Sequence, residues 1–188
     1  MRQNKSITTK QIVMVALLAA MTCAGSALRI KVPEVVGTSA FHLGNILCAL
    51  SGILLGPWLG GLAAGLGSAI YDMFDPIYIR DAWITFLTKG MYALIAGMVI
   101  RSGSGRWGYG KAIIATTAGA LTYAVLYLCK GIFYDGMLLN GLTAAAAAIA
   151  VTAKLPATTF NVVVAIVGAP LIAIALRKAL SRSHLSVD

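Results

Sequence analysis

Charged residues, and acidic residues above all, are scarce in this sequence. Only 11% of its 188 residues are charged, with six Asp or Glu against fifteen Lys or Arg. A soluble domain has about 25% charged and about 45–50% apolar residues, whereas 59% of this chain is hydrophobic and its mean hydropathy is +0.86. A globule of this size cannot hide so much apolar surface in one core. The composition therefore predicts an integral membrane protein, and it excludes disordered, collagen-like, coiled-coil and disulfide-scaffold classes.

Groups that carry metal or catalytic chemistry are also sparse. The two histidines, His42 and His184, lie far apart, and the sequence contains no Gly-x-Ser-x-Gly elbow. Residues 105–112 nearly spell a phosphate loop, but Ala112 stands where Ser or Thr would hold magnesium. Three cysteines lie in apolar runs and are expected to be buried thiols: Cys23, Cys48 and Cys129. We therefore expect no enzyme activity, no metal or cofactor, and no ATPase within this chain.

Six apolar segments predict an all-α bundle of six transmembrane helices in a single domain. They cover residues 11–28, 42–56, 58–74, 82–100, 112–133 and 155–176. The second and third are short for a span of about 20 residues, and they meet at a Gly56-Pro57 turn, so a tight helical hairpin is expected. A cleaved signal peptide is the alternative for the first segment.

Two connections between these segments are of interest. Residues 29–41 combine basic residues with proline and glycine and are predicted to form a loop. Residues 134–154 are predicted to form a loop followed by a short helix in the alanine run 144–148.

The distribution of charge predicts the orientation in the membrane. Nine basic residues fall at the N-terminus, in the connection 101–111 and in the C-terminal tail, together with one acid, Asp188; they are Arg2, Lys5, Lys10, Arg101, Arg106, Lys111, Arg177, Lys178 and Arg182. The remaining acids fall at or near the opposite face: Glu34, Asp72, Asp75, Asp81 and Asp135. Positive residues favour the cytoplasm, so both termini are expected inside. This interpretation explains the net charge of +9 without a nucleic-acid partner.

Ionisable groups inside membrane segments point to a functional site. By the predicted topology a polar pocket opens toward the outer half, near Asp81 and Asp135, and its candidate residues are His42, Asp72, Lys89, Lys130, Tyr92, Tyr123, Tyr127 and Asn161. Lys89 lies about two turns inside the fourth helix and is expected to meet either Asp72 or the ligand. Interfacial snorkelling, mutual ion pairing and an aromatic belt are the alternatives.

A stripe of small residues runs along the first helix. Ala16, Ala20 and Ala24 recur at a spacing of four and therefore share one face. Such stripes let helix backbones approach closely in lipid, and the neighbour is either another helix of this chain or another protein.

Four stretches together resemble the substrate-binding S components of energy-coupling factor (ECF) transporters, nearest to the riboflavin- and pyrimidine-type branch. They are FHLGN at 41–45, LLGPWLGG at 54–61, AGLGSAIYD at 64–72 and FLTKG at 86–90. The resemblance implies a six-helix fold in which the loop 29–41 and helices four to six bind the substrate. It also implies that the alanine stripe docks on a transmembrane coupling subunit, the T component, which works with two ATPase subunits. Asn45 joins the candidate binding residues, although members often have Asp there.

The resulting hypothesis is capture and translocation of a vitamin or vitamin precursor by a multi-pass protein of the bacterial cytoplasmic membrane. Riboflavin and pyridoxine- or pyrimidine-like heterocycles are the first candidates, and a queuosine precursor and cobalamin stay open. The main alternative is an autonomous secondary carrier or channel, although the chain shows no clear two-fold repeat. A small membrane enzyme is a second alternative, supported only by the proximity of Asp72 and Asp75.

Overall fold

The structure, a computed structural model, describes residues 7–34, 36–103 and 107–182. Several residues used in the orientation argument lie outside the described residues: Arg2, Lys5, Arg106, His184 and Asp188.

The described chain is predominantly helical. Its α-helices are α1 (Thr9–Ala27), α2 (Gly44–Leu55), α3 (Pro57–Phe74), α4 (Ala82–Arg101), α5 (Tyr109–Lys130), α6 (Ala144–Val151) and α7 (Leu155–Arg182). A π-helical segment, Gly131–Leu139, continues α5, and short 3-10 turns at Ile79–Asp81 and Thr152–Lys154 lead into α4 and α7. The short helix expected within 134–154 is α6.

Four helical stretches among the described residues are long and apolar enough to cross a membrane: Thr9–Ala27, Ile79–Arg101, Tyr109–Leu139 and Ala144–Ala179. The other apolar helices are shorter. The 12 residues of α2 extend about 18 Å at 1.5 Å per residue, against a hydrocarbon core of about 30 Å. The prediction of a helical, multi-pass membrane protein is therefore supported, while six complete crossings stay a prediction.

The connection between α1 and α2, predicted as a loop, contains two short strands within the helical fold. It forms an antiparallel β-hairpin, β1 (Arg29–Pro33) and β2 (Thr38–His42), in which Arg29 lies opposite His42 and Pro33 opposite Thr38. Gly37 makes the turn possible because its φ is +79°, a conformation that favours glycine. Strand pairing satisfies backbone groups that an irregular loop would leave to solvent. We call residues 29–42 the hairpin.

Glycine allows the close packing of α2, α3 and α4. A Cβ atom added at Gly60 of α3 would lie 2.5 Å from the backbone oxygen of Ser51 in α2, and one at Gly65 would lie 2.8 Å from that of Phe86 in α4. The space between these backbones therefore fits only hydrogen, as expected for small-residue contacts between helices in lipid. Helix α7 completes the bundle by packing against α2 and α5.

The two ends of the bundle differ in chemistry. At one end Arg101 donates to the Leu55 carbonyl at 3.0 Å, Arg177 donates to the Trp107 carbonyl at 2.7 Å, and Lys111 bonds the Ser102 carbonyl. The hairpin and the acids Asp72, Asp75, Asp81 and Asp135 occupy the other, which we call the hairpin end.

The cysteines have different environments. Cys48 is buried, as expected, but Cys23 is half-buried and Cys129 is exposed. The prediction that all three thiols are buried was therefore wrong for Cys129, which lies on the outward face of α5. An apolar run in a membrane protein does not imply burial within the protein, because lipid is as apolar as the protein core.

Candidate functional site

A cleft lies beneath the hairpin, between β2 and helices α3, α4, α5 and α7. Its cavity volume is about 70 Å³, room for several water molecules. Residues of mixed polarity line it: Ser26, Arg29, Thr38, Ala40, His42, Ser68, Asp72, Tyr78, Asp81, Ile84, Thr85, Thr88, Lys89, Tyr123, Tyr127, Lys130, Ala157, Thr158 and Asn161.

Most of the binding residues predicted from sequence line this cleft: His42, Asp72, Lys89, Tyr123, Tyr127, Lys130 and Asn161. The other two lie behind its wall. Asn45 is 1% exposed and contacts Lys89, and Tyr92 is completely buried against Tyr123. Asn45 and Tyr92 therefore support lining residues and do not face the cleft themselves.

Lys89 lies beside a stack of tyrosines. Its Nζ donates to Asn45 Oδ1 and lies 3.9 Å from the centroid of the Tyr123 ring. The rings of Tyr92 and Tyr123 stack at 6.0 Å, and those of Tyr123 and Tyr127 at 5.8 Å. Residues four apart share a helix face, so the spacing of Tyr123 and Tyr127 on α5 places both rings at the cleft.

Arg29 links the hairpin to α3, and sequence reasoning treated it only as a loop residue. Its guanidinium pairs with Asp72 at 3.4 Å and lies 4.0 Å and 4.9 Å from the ring centroids of Tyr71 and Tyr78. Asp72 is one of the two acceptors expected for Lys89, but in the structure it pairs with Arg29. Burial, only partly opposed by the positive charge of Arg29, raises the pKa of Tyr78 to about 12, so the Tyr78 hydroxyl stays neutral.

A second ion pair fixes β1 to the turn after α3. Lys31 Nζ lies 2.6 Å from Asp75 Oδ2, and Asp75 Oδ1 accepts the backbone N–H of Ile77 at 3.1 Å. Burial alone would raise the pKa of Asp75, but Lys31 and the Ile77 N–H outweigh it, and the pKa is lowered.

The other strand of the hairpin is held by α7. Asn161 Nδ2 donates to the Ala40 carbonyl at 2.8 Å, and Asn161 Oδ1 accepts the backbone N–H of His42 at 3.0 Å. His42 Nδ1 in turn accepts the N–H of Gly44, the first residue of α2. Burial, with the positive charges of Lys89 and Arg29, lowers the pKa of His42 well below its usual value, so this nitrogen stays an acceptor.

An ionic cluster forms the edge of the cleft between α4, α5 and α7. Lys130 Nζ lies 2.6 Å from Asp81 and 2.8 Å from Asp135, and Lys154 Nζ lies 3.0 Å from Asp135. The π-helical register brings Lys130 and Asp135 together because five residues make little more than one turn there. Mutual ion pairing, an alternative left open for these residues by sequence, is what the structure shows.

Lys154 is the member that sequence reasoning missed. Its side chain is 1% exposed, and its Nζ lies 5.2 Å from the centroid of the Tyr127 ring. Its position shortly after the apolar run 144–151 could have identified it, because a lysine buried at the end of an apolar segment needs an ionic partner.

The alanine stripe faces away from the bundle. Ala16, Ala20 and Ala24 are exposed, whereas Thr22 and Gly25 on the opposite face of α1 are buried against the chain. Internal packing, one of the two alternatives for the stripe, is therefore not its role within the described chain.

Comparison with known proteins defines the class that the fold and the cleft indicate. The family model for the ECF-type riboflavin transporter S component matches residues 6–178. The chain belongs to this family of substrate-binding membrane transport proteins. It is also 31% identical over 109 residues to a protein of Pyrococcus woesei described as "Uncharacterized protein in gap 3'region", a match that covers 58% of this chain and 69% of that protein.

Proposed function

We propose that the cleft captures a vitamin or vitamin precursor with a flat heteroaromatic ring, riboflavin or a pyridoxine- or pyrimidine-like compound. The stacked Tyr123 and Tyr127 rings beside Lys89 carry this proposal. Ring faces favour offset stacking with another aromatic ring, and a buried ammonium offers donors to a ring carbonyl or substituent.

Access to the cleft would be controlled by the hairpin. The present cavity of about 70 Å³ holds several waters, so a ring-sized ligand requires the walls to separate. Polar contacts make several of the hairpin's attachments: Arg29 to Asp72, Lys31 to Asp75, Asn161 to β2, and Tyr127 to Ser39. Polar attachments exchange with water or ligand more readily than packed apolar surface does.

Transport would need partners, as the family implies. The exposed face of Ala16, Ala20 and Ala24 would dock on the transmembrane T component, which connects to two ATPase subunits. The substrate would enter at the hairpin end, outside the cytoplasmic membrane of a bacterial cell, and leave inside after ATP hydrolysis by the partners.

Binding by the solitary protein tests the proposal. Riboflavin, pyridoxine and uracil would be titrated into detergent-purified protein by calorimetry, and mass spectrometry would identify any compound that co-purifies. Tyr127→Leu should weaken binding of the ring that binds, whereas Tyr109→Leu, at the basic end of α5, should not. Equal effects of both changes would contradict the placement of the site.

Uptake by liposomes distinguishes an autonomous secondary carrier from an S component that depends on partners. Liposomes containing this protein alone should bind the compound without accumulating it. Accumulation without the coupling subunit and ATPases would favour the autonomous carrier over an S component that depends on partners.

A further inference from the structure

Three cationic side chains line the cleft, and they differ in what balances their charge. Arg29 pairs with Asp72 at 3.4 Å, and Lys130 pairs with Asp81 at 2.6 Å. Lys89 has no carboxylate within 4.0 Å among residues 7–34, 36–103 and 107–182. The cleft therefore contains one cationic side chain that has no carboxylate in direct contact within the described chain.

Lys89 keeps unused hydrogen-bonding capacity. It is 5% exposed, and its contacts are the neutral Asn45 Oδ1 and the face of the Tyr123 ring. An ammonium carries three N–H donors, and a ring face replaces a counter-charge poorly. A buried charge without an ionic partner costs free energy that an anionic oxygen in the cleft would offset.

Several other polar groups of the cleft already have partners. Both ends of the Asn161 amide bond the hairpin, and the Tyr127 hydroxyl bonds Ser39 at 3.0 Å. Asp72 is bonded by Arg29. Lys89 is thus the cationic cleft residue best placed to bind an anion without first breaking an ionic contact.

We infer, building on the proposed function, that the substrate is an anionic heteroaromatic compound whose carboxylate or phosphate oxygen binds Lys89 Nζ. The ring lies against Tyr123 and Tyr127, and the anion replaces the missing counter-charge. Lys89 thereby selects acidic members of the substrate class over neutral ones with the same ring.

Matched pairs of probes test this selection, each pair sharing one ring system. They are uracil and orotate, pyridoxine and 4-pyridoxate, and riboflavin and its 5′-phosphate. For the ring system that binds, the anionic member should bind about ten- to a hundredfold more tightly, as a charge-assisted hydrogen bond provides. Equal or tighter binding of the neutral member would overturn the inference.

Two variants locate the selectivity. Lys89→Met should weaken binding of the anionic probe much more than binding of the neutral probe, so that the preference for the anion is lost. Lys31→Met removes one positive charge at the same end from a residue that does not line the cleft, and it should keep the preference. A preference that survives Lys89→Met, or that is lost equally in both variants, contradicts a specific contact with Lys89.

Analysis of the native protein keeps the test independent of folding of the variants. A compound released by denaturing the purified chain should carry a carboxylate or phosphate. A neutral heteroaromatic compound would overturn this inference and leave the proposed function standing. Binding of none of the six probes, together with release of no aromatic compound, would contradict the proposed function and this inference with it.

Discussion

Asn161 and His42 are 119 residues apart in sequence, yet the Asn161 Oδ1 atom accepts the His42 backbone N–H at 3.0 Å. The same amide donates to the carbonyl of Ala40 at 2.8 Å. One side chain of α7 therefore occupies two backbone groups of β2, and it fixes the strand above the cleft.

Asn161→Leu should loosen the hairpin. The change leaves the His42 N–H and the Ala40 carbonyl unpaired, at a cost of about 1–3 kcal/mol. Hydrogen exchange at residues 38–42 should accelerate, while exchange in the middle of α4 stays as it was. Asn161→Asp, which keeps an acceptor for His42 but loses the donor to Ala40, should give an intermediate rate; unchanged exchange in the Leu variant would show that other contacts hold β2.

Substitutions in the ionic cluster are expected to lower the free energy of unfolding by different amounts. Asp135→Asn leaves Lys154, whose side chain is 1% exposed, without a carboxylate, so the free energy of unfolding should fall by about 3–5 kcal/mol. Lys154→Met should cost less because Lys130 still pairs with Asp135.

The double variant Asp135→Asn/Lys154→Met provides the control. It should recover part of the stability lost in Asp135→Asn, because the unpaired ammonium is gone. Thermal unfolding in detergent measures all three proteins. Additive losses would show that the Lys154 ammonium and the Asp135 carboxylate do not interact.

The hairpin end should lose stability in mild acid because of His42. Its pKa in the folded protein lies well below the value of about 6.5 in an unfolded chain. Between these two pKa values the unfolded state binds more protons, so stability is complete above about pH 6.5 and falls as the pH drops below it. Protonation of Nδ1 would also remove the acceptor to which the Gly44 N–H donates.

Melting temperatures between pH 8 and pH 5 measure this loss. His42→Asn places an amide oxygen that does not titrate near the Gly44 N–H, and its melting temperature should vary less over the same range. Asp75 does not obscure the result. Its pKa is lowered, so the stability that its ionised carboxylate gives the folded protein is lost only at lower pH. Parallel curves for the two proteins would exclude His42 as the source.

The helices were predictable from sequence, and the hairpin was not. Long apolar runs define helices in a membrane protein because each span must satisfy its own backbone groups. The strands Arg29–Pro33 and Thr38–His42 have only five residues each and include charged residues and a proline, which are also typical of a loop. Their pairing depends on the Gly37 turn and on attachment to α3 and α7.

The cleft was predictable as a set of residues more than as a set of contacts. Lysines and aspartates within apolar runs mark a polar interior, which is why Lys89, Asp72 and Lys130 were identified. Lys89 contacts Asn45, which lies 44 residues away in sequence, and Asp72 contacts Arg29, which lies 43 residues away. Spacing along one helix cannot predict such contacts, which depend on how the helices and the hairpin pack.

Orientation in the membrane can be measured by cysteine labelling. Arg80 is exposed at the hairpin end, and Gly108 at the other end is surrounded by open space where a side chain would begin. In a Cys129→Ser background, a membrane-impermeant maleimide added to intact cells should label Arg80→Cys and not Gly108→Cys. The excess of basic residues near Gly108 predicts this result. Labelling of Gly108→Cys alone would reverse the orientation and place the cleft opening in the cytoplasm.

Ala20→Trp should separate binding from transport. Ala20 is exposed on α1 between Ala16 and Ala24, so an indole there fits without disturbing the bundle but holds a docking helix away. Titration of the compound that binds should give an unchanged dissociation constant, while uptake by cells containing the complete transporter is lost. Ile114→Trp is the matched control, because Ile114 is 62% exposed on α5, away from the stripe, and this variant should keep both activities. If Ala20→Trp weakened binding by the solitary protein as much as it reduced uptake, the stripe would support the fold of the bundle. If the variant left uptake intact, the coupling subunit would dock on another face.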